Sequence, residues 1–474
     1  MLLRNLFSMS AMRIISALLT LALVVAFSRV WGSTQLGQFA LLVTVFLFFQ
    51  LLPLLGLHLY LIGKVSAAPA TAAHHFPNAT LLALLVSLAL ALSLGLGGTA
   101  LYADLPEIHN ALWLVAASLI PTAPIAAIEA ILLAQQRMDL VALRNIAENI
   151  GRTAISLLLV FSGSGLTAVF ITFLCGRILV ALSYLFSPAV AIPFNRAELS
   201  FRTLREYMHS IPTFLGIVIF GALIARLDIL FMSKLGTPED LGLYAAPYKL
   251  YELGLMVPQI ITVVLYPRMC ELHAKSPGEM LHLVAAGIRY PLLFACPILI
   301  LLGFSSVPVL SLFGGQAPLG ATALILLLPA LAGAGINQLL ATCMFVIGRP
   351  DLDLRTLAIG TVVTVIALFV CIPKFGSGGA AFVVLVMSVF IPAVRCLLLA
   401  RLVPLAPIGR AIADVMLPSC LMMAIMLLTW PLQPVLAATL GIAAYMLTVR
   451  MAGLRPIESL RAIIAAPAVQ KAEP

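Results

Sequence analysis

Long runs of apolar residues, separated only by short clusters of charged residues, Gly and Pro, fill the chain almost from end to end. A helix needs about 20 apolar residues to cross a bilayer. Taking apolar windows bounded by that punctuation predicts spans near 11–31, 39–62, 79–102, 111–133, 142–162, 166–188, 211–233, 242–267, 284–304, 318–347, 355–373, 379–402, 412–431 and 434–450. The first window is too long for the apolar part of a signal peptide and is followed by no small-residue cleavage site, so it reads as a span that is kept. The pattern predicts an all-α polytopic membrane protein with about 14 transmembrane helices.

Composition sharpens this picture. Of 474 residues, 62% are hydrophobic and 9% charged, and the mean hydropathy is +1.14, outside the range of soluble domains. The net charge of +9 forms no patch that would suit nucleic acid. With the N-terminus inside, seventeen Lys and Arg residues fall in inner segments and only Arg29, Lys234 and Lys374 in outer ones. This positive-inside bias predicts that both termini are cytoplasmic. The seven cysteines lie singly, without metal-binding or redox spacing, and read as packing residues; neither a metal site nor a cofactor is expected. The predicted outer loops are too short to hold a catalytic domain.

The chain also repeats itself. LGQFA at 36–40 returns as LGLYA at 241–245, QRMDLVALR at 136–144 as GRPDLDLR at 348–355, and GSG at 163–165 as GSG at 376–378. Ordered matches at nearly constant offset point to duplicated six-span units, and an even number of spans inserts both copies in the same orientation. The expected architecture is two pseudo-symmetric six-helix lobes, 1–188 and 211–402, around a central cavity. A cytoplasmic amphipathic linker, 189–210, joins them, and two additional helices, 403–450, and a cytoplasmic tail, 451–474, follow. In the linker Leu199, Leu204 and Tyr207 alternate with Arg and Glu, as in an interfacial helix. In each LG turn the first Gly, Gly32 or Gly236, is expected to end a helix in the left-handed conformation, and the second to let the next helix start close to a neighbour.

The segment RLDILFMSKLGTPEDLGLYAAPYKLYELGLMVPQIITVVLYPRM, 226–269, resembles the seventh and eighth helices of bacterial Wzx-type polysaccharide flippases, and SRVWGSTQLGQFALL resembles their first outer turn. These flippases belong to the multidrug/oligosaccharidyl-lipid/polysaccharide (MOP) exporter superfamily. The resemblance implies a bacterial inner-membrane flippase that carries an undecaprenyl-pyrophosphate-linked oligosaccharide from the cytoplasmic to the periplasmic leaflet. It also implies H+ or Na+ coupling, and a polysaccharide polymerase and glycosyltransferases as partners. Drug or cation antiport and lipid II flipping stand as alternatives within the superfamily. A membrane glycosyltransferase or polymerase is the alternative of another class, but its outer acids are limited here to Asp104, Glu107, Glu239 and Asp240; no enzyme activity is expected.

A charge at mid-bilayer costs about 2.5–3.5 kcal/mol on insertion scales, so intramembrane charges are functional candidates. Arg177 and Arg226 lie deep with no acidic partner nearby in sequence, and are expected to line a cationic cavity with Arg152, Lys249 and Arg13. Arg can grip a phosphate through paired N–H donors. Asp228, Glu252 and Glu148 are the candidates for the coupling ion. Glu148 with Arg152 and Lys249 with Glu252 share helix faces, so each pair is read either as a structural ion pair or as cavity lining. Glu129, Arg289, Arg395 and Asp414 are expected to snorkel to the cytoplasmic interface. Tyr244, Tyr248 and Tyr251 fall on one face, either to stack on sugars or to pack. His74 and His75 are placed in an inner loop.

Overall fold

A computed structural model describes residues 2–67, 71–135, 137–187, 198–314, 316–431 and 433–452. The described chain is helical, with no strand: α1 (Leu2–Phe49), α2 (His58–Ala67), α3 (Ala72–Leu101), α4 (His109–Ala134), α5 (Met138–Phe161), α6 (Leu166–Leu185), α7 (Phe201–Ile224), α8 (Leu227–Leu235), α9 (Pro238–Lys275), α10 (Pro277–Phe304), α11 (Ser306–Ser311), α12 (Ala321–Val346), α13 (Pro350–Leu399), α14 (Ala406–Thr429) and α15 (Pro434–Met451). Among the described residues nine helices are long and apolar enough to cross a membrane. Linker residues 189–197 and tail residues 453–474 lie outside the described residues.

Two of the helices fold back on themselves where the sequence places outer turns. A straight helix rises about 1.5 Å per residue, which would put residues 27 and 39 roughly 18 Å apart. Their rings instead meet edge to face at 4.5 Å, because Gly32 adopts φ 79°, ψ −175°. In α13, Gly376 adopts φ 53°, ψ −131°, and a Cβ at Gly379 would lie 2.4 Å from the Cys371 carbonyl oxygen. Glycine suits such positive φ because it has no Cβ. The left-handed expectation needs correction: Gly32 has positive φ but an extended ψ, and its counterpart Gly236 is extended at φ −105°, ψ −179°.

Two predicted spans are broken. Window 39–62 is interrupted over 50–57, where Pro53 removes a donor and Gly56 takes φ 79°. Window 211–233 is interrupted at Ala225 and Arg226, between α7 and α8. By contrast α4 runs through Pro121 and Pro124, and α10 through Pro291 and Pro297.

The chain folds as two compact units. The first comprises residues up to Leu253, Leu310–Ala323 and Leu357–Val383; the second comprises Gly254–Val309, Leu324–Thr356 and the chain from Val384 on. In the first unit α3 packs along α4, α1 along α5 and α4 along α6. Its core holds Leu57, Leu61, Phe76, Ile128, Ile131, Tyr184 and Tyr207. Part of the linker's apolar side is spent inside this unit while Leu199 stays exposed: Leu204 packs against the core and Tyr207 is fully buried, and His75 Nδ1 and the Tyr207 hydroxyl share a hydrogen bond at 2.8 Å. His74 and His75 therefore lie in the first turns of α3 rather than in a loop, with His74 bonded to Glu198 and Thr203 at 3.0 and 2.8 Å.

The same unit brings the two LG turns into contact. A Cβ on Gly242 would lie 1.7 Å from the Ser33 carbonyl oxygen, and one on Gly37 2.4 Å from that of Pro238. Small residues let membrane helices approach this closely. Asp240 bonds the Thr237 hydroxyl at 2.8 Å, Gln38 donates to Glu107 at 3.0 Å, and Lys234 pairs with Asp104 at 3.2 Å.

In the second unit α14 packs between α10 and α15, around Leu281, Ile288, Leu340, Met344, Leu399 and Met422. Arg395 is 2% exposed and donates to Asp353 Oδ1 through Nε and Nη2 at 3.0 and 2.6 Å. It also donates to the carbonyl and the side-chain oxygen of Asn337. Arg395 is thus a buried, fully bonded cation and not a snorkelling anchor. Arg289 and Asp414, expected as separate anchors, pair at 2.7 Å and tie α10 to α14.

Candidate functional site

Two clusters of charge stand inside the first unit, each beside one of the helix breaks. At the break between α7 and α8 the Ala225 carbonyl would lose its helical partner, and the Tyr248 hydroxyl donates to it at 2.7 Å. Arg226, just past that carbonyl, has non-helical dihedrals. Its Nη2 donates to Glu252 Oε1 at 2.5 Å, while Lys249 Nζ donates to Glu252 Oε2. One carboxylate therefore bridges two cations from different elements. The three side chains are 18%, 26% and 15% exposed, neither sealed nor free.

Asp228 is handled separately. It is buried, takes the Tyr244 hydroxyl proton donor at 2.6 Å on Oδ2 and the Ile229 N–H at 2.9 Å on Oδ1. Arg226 and Asp228, two residues apart, thus turn to different partners. Tyr244, Tyr248 and Tyr251 are buried, with successive ring centroids 5.4 and 5.8 Å apart. The Tyr244 and Tyr248 hydroxyls hold Asp228 and the break in place, and the three rings pack together, which is the packing role; Arg226 lies 5.9 Å over the Tyr248 ring.

The second cluster joins α5, α6 and α1. Glu148 is buried between Arg177 Nε at 3.4 Å and Arg152 Nη1 at 3.9 Å, with Gly176 of α6 leaving room for its side chain. Arg177 donates to Gln50 at 2.9 Å, and Gln50 opens the break at 50–57. Arg152 donates to Asn149 at 2.5 Å, and Asn149 to Ser16 at 2.8 Å. Glu148 Oε1, Arg152 Nε and Arg177 Nε are buried with no hydrogen-bond partner. A groove of about 610 Å³ between α5 and α6 is walled by Arg144, Glu148, Arg152, Ile155, Ile171 and Leu179.

Sequence proximity misjudged several of these residues. Arg177 and Arg226 do have acidic partners, Glu148 and Glu252, each on another helix. Lys249 with Glu252 is a real pair, whereas Arg152 with Glu148 is a loose one. Glu129 does not snorkel but accepts from Asn145 and Tyr184 at 2.9 and 3.1 Å. The side chain of Arg13 lies outside the described residues. Gln50, Asn149, Ser16, Asp353 and Asn337 went unselected because they are neutral or sit at span ends. For Gln50 the signal was present, since Pro53 and Gly56 mark a break inside an apolar window. Among the described residues no group of three His, Cys, Asp or Glu is placed to hold a metal ion.

Comparisons with known proteins bear on this arrangement. The family model for polysaccharide biosynthesis protein matches residues 2–273, the stretch that contains both charge clusters. No curated protein matches the chain in sequence. Among solved structures, the lipid II flippase MurJ in an inward closed conformation is similar with a TM-score of 0.74 at 16% identity, covering 93% of this chain and 98% of that one. A multidrug resistance MATE family transporter of the MOP superfamily, inward-facing, aligns with a TM-score of 0.66 at 17% identity over 84% of this chain and 95% of that one. A MOP superfamily transporter from Pyrococcus furiosus gives 0.58 at 14%, over 83% and 94%. At these identities the likeness is one of fold.

Proposed function

The chain belongs to the polysaccharide biosynthesis protein family, and on that premise we propose that it is a flippase of the bacterial inner membrane. Its cargo is an undecaprenyl-pyrophosphate-linked oligosaccharide, moved from the cytoplasmic to the periplasmic leaflet. One observation carries the reading: Arg226 and Lys249, on different elements, converge on a single carboxylate at a partly exposed position in an apolar chain. A phosphate headgroup presents the same kind of acceptor oxygens, and Arg fits them through paired donors. Arg177 and Arg152, each with a buried Nε that makes no hydrogen bond, offer further donors.

The mode of transport in this reading is alternating access, with both termini cytoplasmic. Asp228, bonded by Tyr244 and a backbone N–H but by no cation, is the carboxylate best suited to exchange H+ or Na+ during the cycle; Glu148 is the second. The polysaccharide polymerase and glycosyltransferases that make and use such a cargo are the expected partners. A glycosyltransferase reading is disfavoured because three of the outer acids it would draw on, Asp104, Glu107 and Asp240, are engaged by Lys234, Gln38 and Thr237.

The test is flipping of a pyrophosphate-linked oligosaccharide in proteoliposomes. Arg226→Ala should slow it about tenfold or more, because hydrogen bonds to charged groups contribute about 1.5–3 kcal/mol. Wild-type rates in both Arg226→Ala and Arg177→Ala would sink the cationic headgroup site. Transport of an organic cation in place of the lipid would favour the antiporter reading, and preference for lipid II would place the chain beside the similar flippase.

A further inference from the structure

Glu252 holds both cations of the proposed headgroup site at once, Oε1 toward Arg226 and Oε2 toward Lys249. Lys249 and Glu252 are three residues apart on α9, so they share a face; Arg226 reaches in from the break before α8. The second carboxylate nearby, Asp228, is occupied by Tyr244 and Ile229 and leaves the pair of cations to Glu252. The resting site is therefore already filled, by an anion belonging to the protein.

We propose that Glu252 is a specificity-determining residue: an internal anion that only a headgroup of more than one negative charge displaces, so that isoprenyl diphosphates enter and single-charged phosphodiester lipids are refused. This rests on the flippase reading. The bilayer around such a site is full of phosphodiester headgroups, each able to bridge Arg226 and Lys249. A phosphodiester brings one charge, the same as the carboxylate it would evict, and leaves Glu252 unpaired among apolar spans, which is costly. A diphosphate brings at least two charges and more acceptor oxygens, enough to hold both cations after the exchange. Selectivity comes from an element that competes with the wrong ligand as much as from contacts to the right one.

The test uses the full chain in detergent and in proteoliposomes, with geranyl diphosphate, geranyl methyl phosphate, a singly charged phosphodiester, and a fluorescent phosphatidylglycerol as probes. Wild type should bind the diphosphate at least about tenfold more tightly than the singly charged diester and leave phosphatidylglycerol unflipped. Glu252→Gln, nearly isosteric, should bind both geranyl ligands more tightly, shrink the ratio between them to about threefold or less, and flip phosphatidylglycerol. A Glu252→Gln protein that keeps wild-type discrimination, or that binds the diphosphate less well, overturns the proposal. If that variant does not fold, equal binding of the singly charged diester and the diphosphate by wild type overturns it and a clear preference supports it. Arg226→Ala separates the two layers. Unchanged diphosphate binding in Arg226→Ala removes the headgroup site itself, whereas weakened binding there with unaltered discrimination in Glu252→Gln removes only the role of Glu252.

Discussion

Gly242→Ala should lower flipping at least about tenfold, although it adds one methyl group to a helix. In an exposed helix the same change is worth up to about 1 kcal/mol of added stability. Here the added Cβ would lie 1.7 Å from the Ser33 carbonyl oxygen and 2.4 Å from its carbonyl carbon, against a comfortable separation of about 3.5–4.0 Å between carbons. Both obstacles are backbone, so no side-chain rotation relieves them, and the two LG turns must move apart by an ångström or more. Gly37→Ala should act in the same direction, since its Cβ meets the Pro238 carbonyl oxygen at 2.4 Å. Gly409→Ala, in α14 with nothing within 4 Å, should leave flipping unchanged. Flipping in proteoliposomes decides the matter, together with thiol labelling of cysteines placed beside Ser33, which should react faster when the turns are held apart. Wild-type flipping in Gly242→Ala would show that this close approach is not needed for the cycle.

Asp353→Ala should cost about 3–5 kcal/mol of folding stability, the usual consequence of stripping one partner from a buried pair. Arg395 is 2% exposed and keeps only Asn337 once Asp353 is gone. The residual charge sits buried in the second unit after losing two charge-assisted bonds. Replacing both members, Asp353→Leu with Arg395→Leu, should restore much of the loss, because the uncompensated charge is removed with its partner. Denaturation of the purified protein followed by helical signal measures both. An unchanged midpoint in Asp353→Ala would mean that the pair contributes little, and a double variant worse than the single would mean that the polar contacts themselves are required.

The pairings of Arg395 with Asp353 and of Arg226 with Glu252 mark the limit of reading by proximity. Arg395 looked like a snorkelling anchor because it lies near a span end. Asp353 looked like a loop residue in GRPDLDLR. They meet because α13 doubles back at Gly376, which sets residues 42 positions apart side by side. Arg226 and Glu252 are 26 apart and meet because the chain breaks at Ala225. That break has neither Pro nor Gly at its two residues, so no local signal announces it; the break at 50–57, with Pro53 and Gly56, was open to reading.

The sequence by itself determined that this is a helical membrane protein, where its apolar windows and tight turns fall, and that the LG turn is written twice. Each of these rests on local composition: run length against bilayer thickness, and the backbone freedom of Gly at positions such as Gly32 and Gly376. Only the tertiary structure decided which acid answers each buried Arg, and that the two copies of the turn, 205 residues apart, press against each other at Gly37 and Gly242. Helix propensity and hydropathy act within a few residues, whereas a charge partner or a glycine contact is a distance between helices. That distance is fixed by how their side chains pack, which no single window contains.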